Sequence, residues 1–292
     1  MNERDERGRS GILYVVGMPL GNPGDICVRA LEVLRAASLI ACEDTRRTGR
    51  MLAEHSIGTP TLSYFEHNEE RRTPEIIGRL RAGATVALVT DAGTPAISDP
   101  GYRLVRAAHE AGIAVRAVPG PSAPIAALSI AGLPTDRFVF EGFLPPRDAA
   151  RRNALDALAK EARTMIFFEA ARRLKETLAE MAVAFGGARM AAVVREVTKI
   201  HEETRRGTLD QLTAIFAARE PLGEITLVVE GAAEPRDRVR EGLHGVDEMA
   251  AVEAMCEAGL SLKQASAVIA KLTGASRRDI YQRAVRTRAP GG

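Results

Sequence analysis

The stretch best equipped to hold a reactive small molecule is Val89-Thr-Asp-Ala-Gly-Thr-Pro-Ala-Ile-Ser-Asp-Pro-Gly101. Its small residues let a ligand approach the main chain closely. The apolar run at 85–89 predicts a strand buried on both faces. After the loop, Asp99 is expected to cap a helix, with Pro100 at its first position and Gly112 closing its far end. A loop between a strand's carboxyl end and a helix N-terminus is where open α/β sheets place ligands. Two further turns leave predicted strands in the same manner, Gly17-Met-Pro-Leu-Gly-Asn-Pro-Gly-Asp25 and Pro119-Gly-Pro-Ser-Ala123. The first has neither the Rossmann glycine spacing nor the Lys-Ser/Thr of a phosphate-binding loop. Alone each is an ordinary turn, but together the three make the rim of one binding site.

The elements that must position this rim alternate in type. Strands are expected at 12–16, 38–42, 62–65, 85–89 and 114–118. Between them lie helices from Asp25 to about Ala36, from Thr45 towards His55, and from Thr73-Pro74-Glu75 to a stop at Gly83. Such alternation argues for a mainly parallel sheet covered by helices. From Ser122 a second α/β unit follows, with a small-residue helix at 124–131. Its strands are expected at 138–143, 164–168, 190–197 and 225–230, with room for mixed direction. Helices at 148–160, 174–185 and 209–217 separate them. From about Val246 three helical segments remain, at 249–258, 262–272 and 277–285; Ser261 with Gln264, and Ser276 with Asp279, have capping-box spacing. The expected organisation is an α/β domain over 11–121, a second over 122–233, a charged linker over 234–245 and a small all-helical domain over 246–288.

Bulk properties narrow the function. With 40 basic and 38 acidic residues the formal net charge is +2, so any nucleic-acid surface must be a local patch. Tryptophan is absent and aromatic residues make up 4%, which argues against a broad base-stacking platform. Three cysteines, Cys27, Cys42 and Cys256, show no metal-like spacing and no disulfide framework, so a reducing cytoplasm is expected and a metal is not. The charged opening residues lack a signal-peptide apolar region, and no segment has the length and apolarity of a membrane span.

The motifs, taken in order, carry a resemblance. The Met18-Pro-Leu-Gly-Asn22 turn, Glu43-Asp-Thr-Arg46, His67-Asn-Glu69, Asp91-Ala-Gly-Thr-Pro95, Ser98-Asp-Pro-Gly101, Pro119-Gly-Pro-Ser122 and Glu141-Gly-Phe143 follow one another, and Arg195-Glu-Val-Thr-Lys199, Glu202-Glu203 and Gly223-Glu-Ile-Thr226 continue them. In this the chain resembles the ribosomal RNA small subunit methyltransferase I family of the tetrapyrrole-methylase superfamily. The resemblance spans about Gly11 to Val285; each motif alone is weak, and their combination is specific.

The resemblance implies two α/β domains of tetrapyrrole-methylase type with S-adenosylmethionine in the cleft between them, and a homodimer. It implies methyl transfer to the ribose 2′-hydroxyl of a cytidine in the decoding region of small-subunit (16S) rRNA, presented as rRNA or as the assembled small subunit. Carried over residue by residue, the cofactor would meet Pro19, Asp91, Gly93, Thr94, Ile97, Ser122 and Ala123, with Phe168 and Glu169 from the second domain. Small residues and backbone amides suit the cofactor's polar ends, and Ile97 and Phe168 can line its pocket. The chain departs from the family pattern at Met18 (usually Thr), Pro23 (usually Leu), Phe168 (Tyr), Ala171 (Pro) and Arg172 (His). These swaps leave the fold intact but remove any catalytic part for that Tyr or His.

A ribose hydroxyl is a weak acid, so a base or a cation near it would help transfer. Candidates are Asp44, Glu169 and Lys199, with His67 and Glu196 behind them; Glu43-Asp44 could instead cap the next helix. Replacing Lys199 or Asp44 by Ala is expected to cut transfer at least about tenfold while sparing cofactor binding. RNA contacts are expected from Arg147, Arg151 and Arg152, from Arg205 and Arg206, and from Lys263, Lys271, Arg277, Arg278 and Arg283 in a helix-turn-helix-like C-terminal domain. Two other readings stay open: a corrin- or sirohaem-pathway C-methyltransferase on the same fold, and a non-catalytic RNA-binding factor with a vestigial pocket.

Overall fold

Five short strands pair into a wholly parallel sheet of order β3-β2-β4-β1-β5. They are β1 (Ile12–Val16), β2 (Leu39–Cys42), β3 (Thr61–Ser63), β4 (Val86–Val89) and β5 (Ala114–Val118). Every residue of the central strands β2 and β4 is buried, as expected of a sheet covered on both faces. One face packs Leu13, Leu88, Ile76 and Leu104; the other packs Val16, Ile40, Leu34 and Val89. The computed structural model describes residues 11–219, 221–232, 247–273 and 275–288. The expected linker at 234–245 lies outside the described residues.

The helices around this sheet, α1 (Val28–Ala36), α2 (Thr45–Glu54), α3 (Glu69–Arg81) and α4 (Tyr102–Glu110), begin where sequence reasoning misplaced three of them. Asp25 does not cap α1. It ends a turn of 3-10 helix over Pro23–Asp25, and Cys27 caps α1, its sulfur accepting from the Ala30 amide. Helix α3 starts one turn before Thr73 and carries Pro74 inside it. Pro74 costs one intrahelical hydrogen bond near the start, while Ile76, Ile77 and Leu80 bury the helix against the sheet. Asp99 and Pro100 do not open α4 either. Gly101 does, at φ +133°, where a side chain would be strained and its Cβ would strike Leu88. Thus Asp99 is left free of the capping duty expected of it.

After α5 (Ala123–Ile130), five strands form a mixed sheet of order β6-β7-β10-β8-β9. These are β6 (Phe138–Phe143), β7 (Thr164–Ala170), β8 (Met190–Arg195), β9 (Glu203–Thr208) and β10 (Glu224–Val229). Only β6 and β7 are parallel; β10 runs antiparallel to both β7 and β8. Helices α6 (Asp148–Leu158), α7 (Leu174–Phe185) and α8 (Leu209–Ala217) bury Leu155, Leu178, Met181 and Phe216 against one face, and α5 with Leu133 covers the other. Strand β8 stops at Arg195, before the expected Val197, because Glu196 and Thr198 both take positive φ in a tight turn. Strand β9, Glu-Thr-Arg-Arg-Gly-Thr, was not anticipated. It is an edge strand held to β8 by main-chain pairing, and it shows no apolar alternation to read.

From Gly231 the chain forms a separate unit. Helices α9 (Glu248–Glu257), α10 (Leu262–Thr273) and α11 (Arg277–Arg288) pack around Val252, Ala265, Ile269, Ile280 and Ala284. The Ser261–Gln264 capping box is formed, and Ser276 caps the Asp279 amide. Among the described residues no helix is long and apolar enough to cross a membrane, and Cys27, Cys42 and Cys256 are free thiols.

Candidate active site

The three loops at the carboxyl edge of the parallel sheet are stitched into one rim. Met18 N–H donates to the Gly93 carbonyl at 2.8 Å, and Gly93 N–H donates back to Met18 at 3.1 Å. Thr94 Oγ1 donates to the Pro121 carbonyl at 3.3 Å, which ties the second loop to the third. Gly17 and Gly120 touch back to back: a Cβ on Gly120 would lie 2.7 Å from the Gly17 carbonyl oxygen. The motif His67-Asn-Glu69 braces this rim from below. Asn68 accepts from Phe65 N–H and donates to the Ser63 carbonyl, and buried Glu69 accepts from Gly101 N–H at 2.7 Å.

Two cavities open beside the rim. One, of 360 Å³, is walled by Gly93, Thr94, Ile97, Ser122 and Ala123 from the first half, and by Phe168, Glu169, Val194 and Thr226 from the second sheet. Phe168, Thr226 and Val194 are neighbours across β7, β10 and β8, so they form a row on one sheet face. Phe140 and Phe143 hold the Phe168 ring from the side, with centroids at 5.0 and 5.3 Å. The other cavity, of 490 Å³, is polar: Pro19, Glu43, Arg47, Arg50, Thr90, Asp91 and Lys199 line it. Leu20, Ala92, Asp99 and Glu224 belong to the walls of both.

The residues nominated from sequence divide among these places. Gly93, Thr94, Ile97, Ser122, Ala123, Phe168 and Glu169 meet in the apolar cavity, whereas Pro19, Asp91 and Lys199 meet in the polar one. Asp44 lines neither. It caps α2 through the Arg46 amide and pairs with the Arg46 guanidinium at 2.9 Å, which holds its carboxyl down at about 2. His67 lies outside both cavities as well. Glu169 is buried, and its oxygens accept from Thr177 Oγ1 at 2.6 Å, from Ala170 N–H and from Arg173. Lys199 bridges Glu196 at 2.9 Å and Glu224 at 3.0 Å, its aliphatic stem lying where a Gly21 Cβ would be. Burial pulls its pKa down, but the two carboxylates outweigh that and leave it raised. Asp91 accepts from Asp44 N–H and from Arg47 at 2.8 Å.

Sequence reasoning missed Leu20, Glu43, Arg47, Arg50, Glu224 and Thr226, and gave Asp99 the wrong duty. Glu43 and Arg47 flank the nominated Asp44 and were one helical turn from legible. Glu224 and Thr226 open an antiparallel strand, so a rule based on carboxyl ends of parallel strands does not reach them. The Asp99 carboxyl is pushed up to about 7, by burial first and then by the nearby charges of Glu43 and Asp91. The Thr90 hydroxyl opposes the rise, and Glu224 adds to it. A carboxyl with that environment, on the wall between two cavities, can exchange a proton near neutrality.

The basic residues expected to meet RNA also divide. Arg151 is 2% exposed and engaged with Glu180, Asp148 and Glu176, so it stabilises α6 and α7 and is not available to RNA. Arg206, Lys263, Lys271, Arg277 and Arg278 are exposed. Among the described residues no group of three His, Cys, Asp or Glu side chains is placed to hold a metal ion.

Residues 12–213 match the family model described as Tetrapyrrole (Corrin/Porphyrin) Methylases, and residues 245–288 match one described as RsmI C-terminal HTH domain. Curated relatives named "Ribosomal RNA small subunit methyltransferase I" include one from Synechocystis, 47% identical over 96% of this chain and 100% of its own. Another from Xylella fastidiosa is 46% identical over 93% of this chain and 98% of its own. The chain belongs to the ribosomal RNA small subunit methyltransferase I family of tetrapyrrole methylases. The fold likeness extends further. A cobalt precorrin-4 methyltransferase superposes with a TM-score of 0.55 at 20% identity, over 79% of this chain and 97% of that one. A uroporphyrin-III C-methyltransferase from Thermus thermophilus gives 0.50 at 24%, over 80% and 97%. At such identities these two show the family fold alone. The C-terminal helical unit carries its own family match.

Proposed function

We propose that this protein transfers a methyl group from S-adenosylmethionine to rRNA of the small ribosomal subunit, at the ribose 2′-hydroxyl of a cytidine in the decoding region. The observation that carries the reading is the pair of cavities sharing one wall: an apolar one of a size suited to one small ligand, and a polar one beside it able to receive a nucleotide. The names of the relatives supply the substrate class.

The residues present fit the methyl donor. Gly93, at φ +75°, leaves a cradle that a Cβ would narrow against Leu20. Thr94, Ser122 and Thr226 offer hydroxyls, Ile97, Phe168 and Val194 offer apolar surface, and Asp99 and Glu224 offer negative charge to a cationic ligand. When bound, S-adenosylmethionine supplies an already activated methyl group, so alignment can do much of the catalysis. The chain's own residues orient the acceptor: Arg47, Arg50 and Lys199 are the cations of a polar chamber that also carries Glu43, Glu54, Asp91, Asp99 and Glu224, and they are the groups there that can meet a phosphate-bearing substrate. Glu169 anchors β7 to α7 through Thr177 and Arg173, which keeps the Phe168 floor in place.

The helical C-terminal unit is assigned to rRNA holding, through Lys263, Lys271, Arg277 and Arg278. A homodimer in the cytoplasm is part of the same reading. A chain ending near Ala233 should bind S-adenosylmethionine normally by calorimetry and methylate small subunits poorly; full activity on subunits would remove the unit from that role. Mapping ribose methylation in small-subunit rRNA from a deletion strain, with and without the restored protein, tests the reaction itself. Methylation of a tetrapyrrole acid in its place would return the protein to C-methyl transfer.

A further inference from the structure

Methyl transfer to a ribose hydroxyl leaves a proton to be taken, and the residues nominated from sequence are already engaged. Asp44 is bound to Arg46 outside both cavities. Glu169 has its oxygens filled by Ala170, Thr177 and Arg173. Lys199 is an ammonium held by two carboxylates.

Asp99 differs from all three. It stands in the wall common to the two cavities, where a group serving both donor and acceptor must stand. Among the described residues, the only other acidic side chain in that wall, Glu224, is paired with Lys199 and is 73% exposed. The loop that displays Asp99 is pinned on either side. Ala96 and Ser98 hold positive φ, Ala96 N–H donates to the Pro100 carbonyl, and Gly101 N–H is clamped by Glu69. Non-glycine residues persist in that conformation only where the surroundings impose it. We propose that Asp99 is the general base of this enzyme, an assignment that rests on the ribose-methylation reading above.

The step balances without a further reactant. The hydroxyl oxygen bonds to the donated methyl carbon while its proton passes to Asp99 Oδ. The carbon–sulfur bond breaks with its electron pair remaining on sulfur, so the sulfonium becomes a neutral thioether. Asp99, now neutral, returns the proton to water. The charged and polar groups facing Asp99 come from several elements: Glu43 after β2, Thr90 and Asp91 after β4, and Glu224 opening β10. The cations of the polar cavity are Arg47 and Arg50 on α2, the first already on Asp91, and Lys199, held by Glu196 and Glu224. With carboxylates as its charged neighbours and burial around it, Asp99 titrates near 7 and not in the ordinary carboxylate range.

Asp99→Asn and Asp99→Glu in the full chain test this. The parent's turnover on small subunits should rise about tenfold per pH unit below 7 and then level. Asp99→Asn should lower turnover at saturating donor about a hundredfold or more and lose that rising limb. Asp99→Glu should keep a rising limb at reduced rate. A second readout needs no turnover. A carboxyl whose folded pKa is raised costs stability on ionising, a cost absent at acid pH and complete above 7. Ligand-free Asp99→Asn should therefore melt above the parent at pH 8, by about 2–4 °C, and the gap should close towards pH 4. An unchanged rate or a surviving limb in Asp99→Asn overturns the assignment, as does a melting gap that ignores pH. If the parent methylates ribose and Asp99→Asn does so equally, only the base role falls. If the parent places no methyl on ribose, the functional reading falls and takes the base role with it.

Discussion

The two cavities share Leu20, Ala92, Asp99 and Glu224, yet they are built by opposite means. The apolar cavity takes its shape from main chain and small residues at Gly93, Thr94, Ser122 and Ala123, closed by a row of side chains from the second sheet. Its selectivity is one of fit. The polar cavity takes its walls from α2 and the loops after β1, β2 and β4, with Lys199 and Glu224 reaching in, and its ion pairs are Arg47 with Asp91 and Lys199 with Glu224. Its selectivity is one of charge. Damage to shape and damage to charge should therefore separate donor binding from turnover.

The largest effect is expected from Gly93→Val. A branched side chain at φ +75° is strained and crowds Leu20, so donor affinity should fall about a hundredfold, equivalent to about 2.7 kcal/mol. Calorimetry with S-adenosylmethionine measures it, and a matching loss of rRNA affinity would erase the distinction between the cavities. Next is Lys199→Ala, which strips the clamp from Glu196 and Glu224 and the support beneath Gly21. Turnover should drop about tenfold while donor affinity stays within about threefold, read from an assay on subunits beside calorimetry; a turnover that holds would make the clamp a matter of stability alone.

The smallest effect lies outside both cavities. Glu203 on β9 accepts from Arg219, Arg195 and Arg205, and the Arg219 bond leads in holding its carboxyl at about 2. A depressed carboxyl stabilises the fold above its unfolded pKa and loses that contribution as pH falls through its folded one. Glu203→Gln should melt below the parent at pH 7, and the difference should vanish as pH falls from about 4.5 towards 2. Melting curves across that range check the slope, and either ligand affinity moving with it would mean that β9 reaches the cavities.

Much of this architecture was legible because the parallel sheet announces itself. Val86–Val89 and Leu39–Cys42 are continuous apolar runs, and the loops after such strands had to meet at one edge. The loops around Gly93 and Ser122 were therefore read as one rim, and they do line one cavity. What escaped did so for physical reasons. Strand β9 is polar and paired by its main chain, so it has no side-chain pattern. The start of α3 is set by Asn68 folding back on Ser63 and Phe65, while Pro74, the visible signal, sits within the helix. Asp99 looked like a cap because it precedes Pro100. The helix starts past it, at Gly101, whose N–H is held by Glu69, thirty-two residues away in sequence, and Asp99 lines the cavities.

That shared wall carries a thermodynamic obligation. A cationic ligand in the apolar cavity lies beside Asp99 and favours its ionised form. By linkage, the factor by which the donor favours the ionised carboxyl is the factor by which ionisation tightens the donor. On the proposed reading, loading the donor would prime the acceptor side before any RNA arrives. Affinity for S-adenosylmethionine and readiness to take a proton then become two faces of one equilibrium.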